Sequence, residues 1–260
     1  MSSRPPRFQD SRRPKTIAEV IGALEAVVAW CYEEDLRHGY FAQVYLATTK
    51  EVARGLEAGE FVDGERLEEL DVVFACRYLD ALDAYAYGYE CSSSWRCAFD
   101  ADRRGDMLIL QHILLGMNAH INLDLGVAAA EVAPGAAIGG IETDFNRINQ
   151  LLARLVDRVE DALGSTNPLF ALGDRLIGGI DEAMIKFSIE AARKHAWRSA
   201  LVLAACAEGD ALDRQVATFD SKVCGFARLV TDDHLTKFFA PLRALDRRSP
   251  KDVIALLRTI

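Results

Sequence analysis

Apolar residues recur every three or four positions along almost the whole chain, and alternation with polar residues never persists beyond about four positions. That pattern admits helices and leaves no place for a sheet. A strand needs a period of two, with Val, Ile and Thr clustered rather than scattered. Thr16-Ile17-Ala18-Glu19 reads as a capping box, the Thr hydroxyl and the Glu carboxylate each taking a free amide proton. It opens a helix whose inner face runs through Ile17, Val20, Ile21, Leu24, Val27, Val28 and Cys31. Further helices are expected over 40–56, from Asp63 through Leu67, Leu70, Val73, Phe74, Tyr78 and Leu82, around Trp95, and over 105–131. Others should run over 143–163, 180–206 and 210–230, with a last short one after Ser249-Pro250. The Gly- and Ala-rich stretch 129–143 reads as a long loop, and 165–179 as short turns. No repeat unit is visible, which disfavours a solenoid. The expected fold is therefore all-α: a single multi-helix, orthogonal or bundle-like domain over 16–260. A disordered basic tail over 1–15 precedes it, in which five Lys and Arg residues face Asp10 alone.

Composition narrows the function classes. Of 260 residues, 50% are hydrophobic, enough to bury a sizeable core. The net charge of −9 argues against a general nucleic-acid binder, which needs a basic face to displace counterions. No long uncharged apolar run suggests a membrane span. The twin arginines Arg12 and Arg13 are followed by a segment broken by Glu19 and Glu25, unlike an export signal. Six cysteines, at 31, 76, 91, 97, 206 and 224, show no CxxC pair. Reduced thiols and a cytoplasmic location are expected, with a Cys91–Cys97 bridge left open.

One segment breaks the binary pattern. Gln111–Leu125 is apolar overall, as a central helix should be, yet it holds His112, Asn118, His120, Asn122 and Asp124. Positions four apart stack on a helix. His112, Gly116, His120 and Asp124 thus form one stripe, and Asn118 and Asn122 a second on roughly the opposite face. Each buried, unpaired amide or imidazole costs on the order of 1–3 kcal/mol, so these groups need partners. His120 and Asp124 are one turn apart and can share an ion. His112 and His120 are separated by about 12 Å along the axis, so His112 is expected as an acid–base neighbour across a notch at Gly116.

Other polar residues are candidates to converge there. Asp71 and Tyr78 lie on a mostly apolar helix, and Asp71 is a candidate partner for a central histidine. Arg77 sits three residues before Asp80, which suggests an ion pair. Asp144 opens the helix after Thr143, where the helix dipole alone favours a carboxylate. Trp95 follows a Gly-, Ser- and Cys-containing break. A site on these terms has His112, His120 and Asp124 as catalytic groups. Asn118, Asn122, Arg77, Tyr78 and Trp95 line it for ligand. His120, Asp124, Asp71 and Asp144 are the candidate ligands for a divalent zinc or magnesium ion. Glu34, Asp35 and His38 read as a solvated helix end, and Arg193 and Trp197, one turn apart, as packing residues with a stack between them left open.

The stretches LQHILLGMNAHINLDLGVAAA (110–130), ERLEELDVVFACRYLDA (65–81), Trp95 with Phe99, and TDFNRINQLL (143–152) resemble a bacterial helical family known as a domain of unknown function. The resemblance spans most of 16–205 and implies no chemistry. More distantly, the HxxxD of His120 and Asp124 resembles a motif of the zinc-dependent phospholipase C and single-strand nuclease superfamily, whose zinc ions activate water against a phosphodiester. With five histidines and no ligating N-terminal Trp, this chain departs from that pattern, which implies at most one or two ions.

Three readings stay open. The first is an enzyme using the central helix for metal-assisted hydrolysis of a phosphoester. The second is a metal-free pocket for a hydrophobic small molecule, with isomerase or terpene-type cyclase activity. The third is a non-catalytic interaction module, able to form a homo-oligomer through an apolar outer face of its C-terminal helices. No GxGxxG, P-loop, GxSxG, HExxH or ExxH motif is present.

Overall fold

The computed structural model describes residues 4–9, 12–148, 189–206, 209–245 and 247–260. Ten helices are labelled here: α1 Ile17–Glu33, α2 His38–Glu57, α3 Gly64–Tyr87, α4 Ser93–Asp100, α5 Ile109–Ala119, α6 Leu125–Val132, α7 Ile189–Ala204, α8 Asp210–Val230, α9 Asp233–Leu245 and α10 Pro250–Leu257. Residues 142–148 are also helical, and no strand occurs among the described residues. The all-α expectation holds. The turns expected over 165–179 lie outside the described residues.

Local chemistry starts and stops these helices much as the sequence suggests. Thr16 Oγ1 accepts the Glu19 N–H, while Glu19 reaches back to the Lys15 N–H rather than to that of Thr16. Asp63 caps α3, which ends at Gly88 in the left-handed region (φ 78°). Ser249 and Asp252 form a reciprocal capping box on α10, with Pro250 at its first position. Two elements depart from expectation. Residues 135–141, read as loop, wind into a 3-10 helix, and α9 forms around Pro241, a residue that argues against helix in sequence.

The centre of the molecule is the rod α5–α6. Its middle, His120–Asp124, is a π-helical turn in which the Leu125 N–H donates to the His120 carbonyl, five residues back. One extra residue is thereby inserted and the register shifts along the rod. The rod is as long and apolar as a membrane span, but 78% of its most apolar window is buried in the protein. α5 packs on α2, α4 and α8, while α6 packs on α3 and α7. Small residues set the second contact: Ala128 and Ala129 meet Ala196 and Ala200, all fully buried. A Cβ on Gly126 would stand 3.0 Å from the Ala196 carbonyl oxygen. On the other flank, α1 and α10 cover α2, and Leu24, Val27, Cys31, Ile254 and Leu257 are fully buried.

The N-terminal segment is not the free tail its composition suggests. Where described, it lies along α3. Phe8 is 7% exposed within the main core, and its N–H donates to Asp83. Arg7 stacks over Tyr87, and Arg13 pairs with Asp80 at 2.7 Å. A single aromatic anchor and two cationic contacts outweigh the low average hydrophobicity on which the disorder argument rests.

Candidate functional site

Four elements converge on the π turn. The N-terminal half of α2 is buried all round from Gly39 to Ala47, and it contributes Phe41 and Tyr45, stacked one turn apart. α3 contributes Asp71, Phe74, Arg77 and Tyr78 at the three- and four-residue spacings of one face. α4 contributes Trp95. The rod itself supplies His120 and Asp124.

Asp124 is the hub. It is 2% exposed. Its Oδ2 accepts the Trp95 Nε1–H at 2.7 Å and lies 3.3 Å from His120 Nδ1; its Oδ1 accepts the Arg77 Nε–H at 3.3 Å. Arg77 therefore pairs with Asp124 and not with Asp80, whose carboxylate is taken by Arg13. The imidazole of His120 lies face to face on Phe74, centroids 3.6 Å apart and planes 7° apart. Tyr45 stands edge-on at 4.4 Å, with Phe41, Tyr78 and Trp95 completing an aromatic box. With Nδ1 committed to Asp124, His120 is left with a buried Nε2 that has no hydrogen-bond partner. Tyr78 Oη and Asp71 Oδ2 are likewise buried and unpartnered.

Burial sets the protonation of these groups. It holds His120 below the ordinary imidazole range, against the opposing pull of Asp124. It pushes the Asp71 carboxyl up to about 7, helped by Glu68. It raises the Tyr45 phenol, aided by the nearby carboxylates of Asp71 and Asp124. A neutral imidazole and a carboxylic acid protonated near neutrality thus flank the same tyrosine.

A model of the family of unknown function DUF5995 matches residues 17–233. The chain belongs to the DUF5995 family. No curated protein and no solved structure matches the chain. In this DUF5995 chain, the polar central helix expected from the sequence is the rod that carries His120 and Asp124.

The other candidates are dispersed. His112 is not across an open notch from His120. The Phe41 ring occupies the space at Gly116, where a Cβ would stand 2.4 Å from Phe41 Cγ. His112 instead lines a cavity of about 20 Å³ with Arg37, His38, Phe41, Tyr78 and Trp95. Burial, with the charges of Arg37, His38 and Arg243, lowers it to about 3. Asn118 and Asn122 do form the second stripe, but the protein itself occupies them. Asn118 donates to the Val223 carbonyl on α8, and Asn122 donates to Asn118. Both border a groove of about 250 Å³ shared with His195 and Lys222. Asp144 accepts the N–H groups of Val62 and Asp63, just before α3. That point lies fourteen residues before Arg77, about 21 Å along the helix, so Asp144 cannot share an ion with Asp124. His38, read as solvated, is largely buried beside Asp102. Arg193 stacks on Phe145 rather than Trp197.

Sequence reasoning missed Phe41, Tyr45 and Phe74 as site residues. A signal was present: aromatic residues four apart in a segment with no polar face mark a helix buried on all sides.

The residues do not fit the expected zinc or magnesium ion. Asp124 is already engaged by Arg77 and Trp95, and His120 Nδ1 by Asp124. Among the described residues, no three His, Cys, Asp or Glu side chains stand together as an ion would require.

Proposed function

We propose that this protein is a metal-free enzyme that moves a proton on a small, largely apolar substrate, with His120 as general base. One observation carries the reading: His120 Nε2 is buried and unpartnered, while Nδ1 is fixed by Asp124. A carboxylate on Nδ1 selects the tautomer with a free lone pair on Nε2, the arrangement a general base needs. Asp71, protonated near neutrality, supplies the complementary acid, since groups whose environments drive their protonation apart divide the two roles. The aromatic side chains packed around His120 favour an apolar substrate over a charged one, and isomerisation by proton transfer is a reaction that a base and an acid so placed can perform. A groove of about 270 Å³, lined by Arg13, Val73, Cys76, Arg77, Asp80 and Glu131, reaches Arg77, the cationic partner of Asp124.

Diethyl pyrocarbonate, which acylates neutral imidazole nitrogens, tests whether Nε2 can be reached. Peptide mapping should find His120 modified in the native protein, more slowly than His234. Small carbonyl or alkene compounds that shift the His120 ring resonance should also slow that acylation. An unmodified His120 after His234 is consumed, with no compound perturbing its resonance, would overturn the proposal.

One observation favours a second reading. Three donors already serve Asp124, and Asn118 ties α5 to α8. Those are the features of a polar network that fixes helix register in a non-catalytic module. The two readings part at His120 Nε2, which a general base needs both bare and reachable and a structural network does not.

A further inference from the structure

Cys97 on α4 and Cys224 on α8 are 127 positions apart in the chain, yet their sulfurs lie 3.5 Å from each other. Both are free thiols. The Cys91–Cys97 pairing that the sequence leaves open is thus not the contact Cys97 makes. A disulfide bond is about 2.05 Å long, so bonding asks for an approach of roughly 1.5 Å.

The surrounding contacts hold the two helices in place for that approach. Asp220, one turn before Cys224, accepts the N–H groups of Ser93 and Ser94 at the start of α4, and the Ser94 hydroxyl as well. Cys97 is half-buried, open enough for a small oxidant, whereas Cys224 is 4% exposed. Burial and the neighbouring Cys224 push the Cys97 thiol up to about 12, and Arg228, one turn past Cys224, pulls the other way. Oxidation should therefore be slow, and the thiolate fraction, not the distance, should limit it.

We propose that Cys97 and Cys224 are a redox site: hydrogen peroxide converts them to an intramolecular disulfide that clamps α4 to α8. In the first step the Cys97 sulfur attacks a peroxide oxygen. The O–O bond breaks, one water leaves, and Cys97 becomes a sulfenic acid, oxidised by two electrons. In the second, the Cys224 sulfur attacks the sulfenic sulfur, the S–S bond forms and a second water leaves. Two thiols and one peroxide give one disulfide and two waters. The clamp fixes the helix that carries Trp95, and with it one wall around Asp124.

The test treats the full reduced chain with hydrogen peroxide at about pH 8, where more thiolate is present. Intact mass should fall by two hydrogen atoms and return with dithiothreitol. A non-reduced peptide map should show one species joining Cys97 to Cys224. The melting temperature should rise by roughly 5–10 °C, as closing so long a loop constrains the unfolded chain. Neither Cys97→Ala nor Cys224→Ala should show the mass loss or the rise; should Cys224→Ala fail to fold, Cys97→Ala at the half-buried position suffices. A cross-link from Cys97 to Cys91, a disulfide between two chains, over-oxidation of Cys97 without a cross-link, or no mass change would each overturn the proposal.

Discussion

Replacing Asp124 by Asn keeps its shape and removes its charge, and the geometry fixes what this should cost. The carboxylate receives the Trp95 indole N–H and the His120 ring on one oxygen, and the Arg77 Nε–H on the other. An amide has a single acceptor oxygen. If that oxygen keeps Trp95, the new NH2 faces the Arg77 Nε–H; if it keeps Arg77, the NH2 faces the indole. Either way one donor is set against another. A hydrogen bond to a charged group contributes about 1.5–3 kcal/mol, and stranding a partner in a buried pair raises the loss to about 3–5 kcal/mol. The Arg77 side chain is 28% exposed and recovers part of this from water. We expect Asp124→Asn to lose about 2–4 kcal/mol, read as a lower urea midpoint at unchanged slope. The melting temperature should fall by roughly 5–10 °C. Arg77→Met should cost less, and the double variant less than the sum, because both remove the same pair. An Asp124→Asn protein as stable as wild type, or more so, would show that the buried carboxylate is a burden, and would refute this account of Asp124 as a satisfied hub.

Further tests follow from the same contacts. His120→Phe preserves the stack on Phe74 and removes the bare Nε2, but it also removes the Nδ1 bond to Asp124, whose Oδ2 keeps only Trp95; calorimetry should find a loss of about 1–2 kcal/mol, smaller than that of Asp124→Asn, and a loss larger than that of Asp124→Asn would mean that Nε2 too is satisfied in the folded protein. Phe8→Ala should cost about 3 kcal/mol in urea denaturation, the low end for a buried aromatic; no loss would return residues 4–9 to a free tail. Asp71 takes up a proton more readily folded (about 7) than its ordinary 3.8, so it lowers stability progressively as pH rises from 3.8 to 7. Asp71→Asn should therefore stabilise the protein at pH 8 by about 1–3 kcal/mol and leave it unchanged near pH 4; equal effects at both would refute the assignment. His112 is displaced the opposite way, from 6.5 to about 3, so its contribution is present above 6.5 and lost as pH falls toward 3. His112→Phe should flatten that acid limb in a pH series of melting temperatures.

What the sequence determined by itself is what neighbours along the chain can decide. Helical period, the caps at Thr16, Asp63 and Ser249, and the stop at Gly88 depend on residues within one or two turns, and they came out where the local pattern puts them. The same holds for the His120–Asp124 contact, which one helical turn suffices to make. The two-stripe reading of the rod also survives on the Asn118 side, because a polar residue on an apolar helix must find a partner wherever it is buried. What only the tertiary structure decided are choices among distant partners. Arg77 had Asp80 three residues away and took Asp124 from another helix. Asp144, a candidate ion ligand by its place in the sequence, instead accepts the amides before α3. Phe41 filled the gap at Gly116, and Phe8 pinned a segment whose composition alone says tail. The π turn belongs here too: it inserts one residue into a stretch whose apolar pattern reads as continuous helix, so periodicity cannot reveal it. Each of these outcomes rests on desolvation and packing among side chains brought together by the whole fold, and those energies are several times larger than the local preferences legible in sequence.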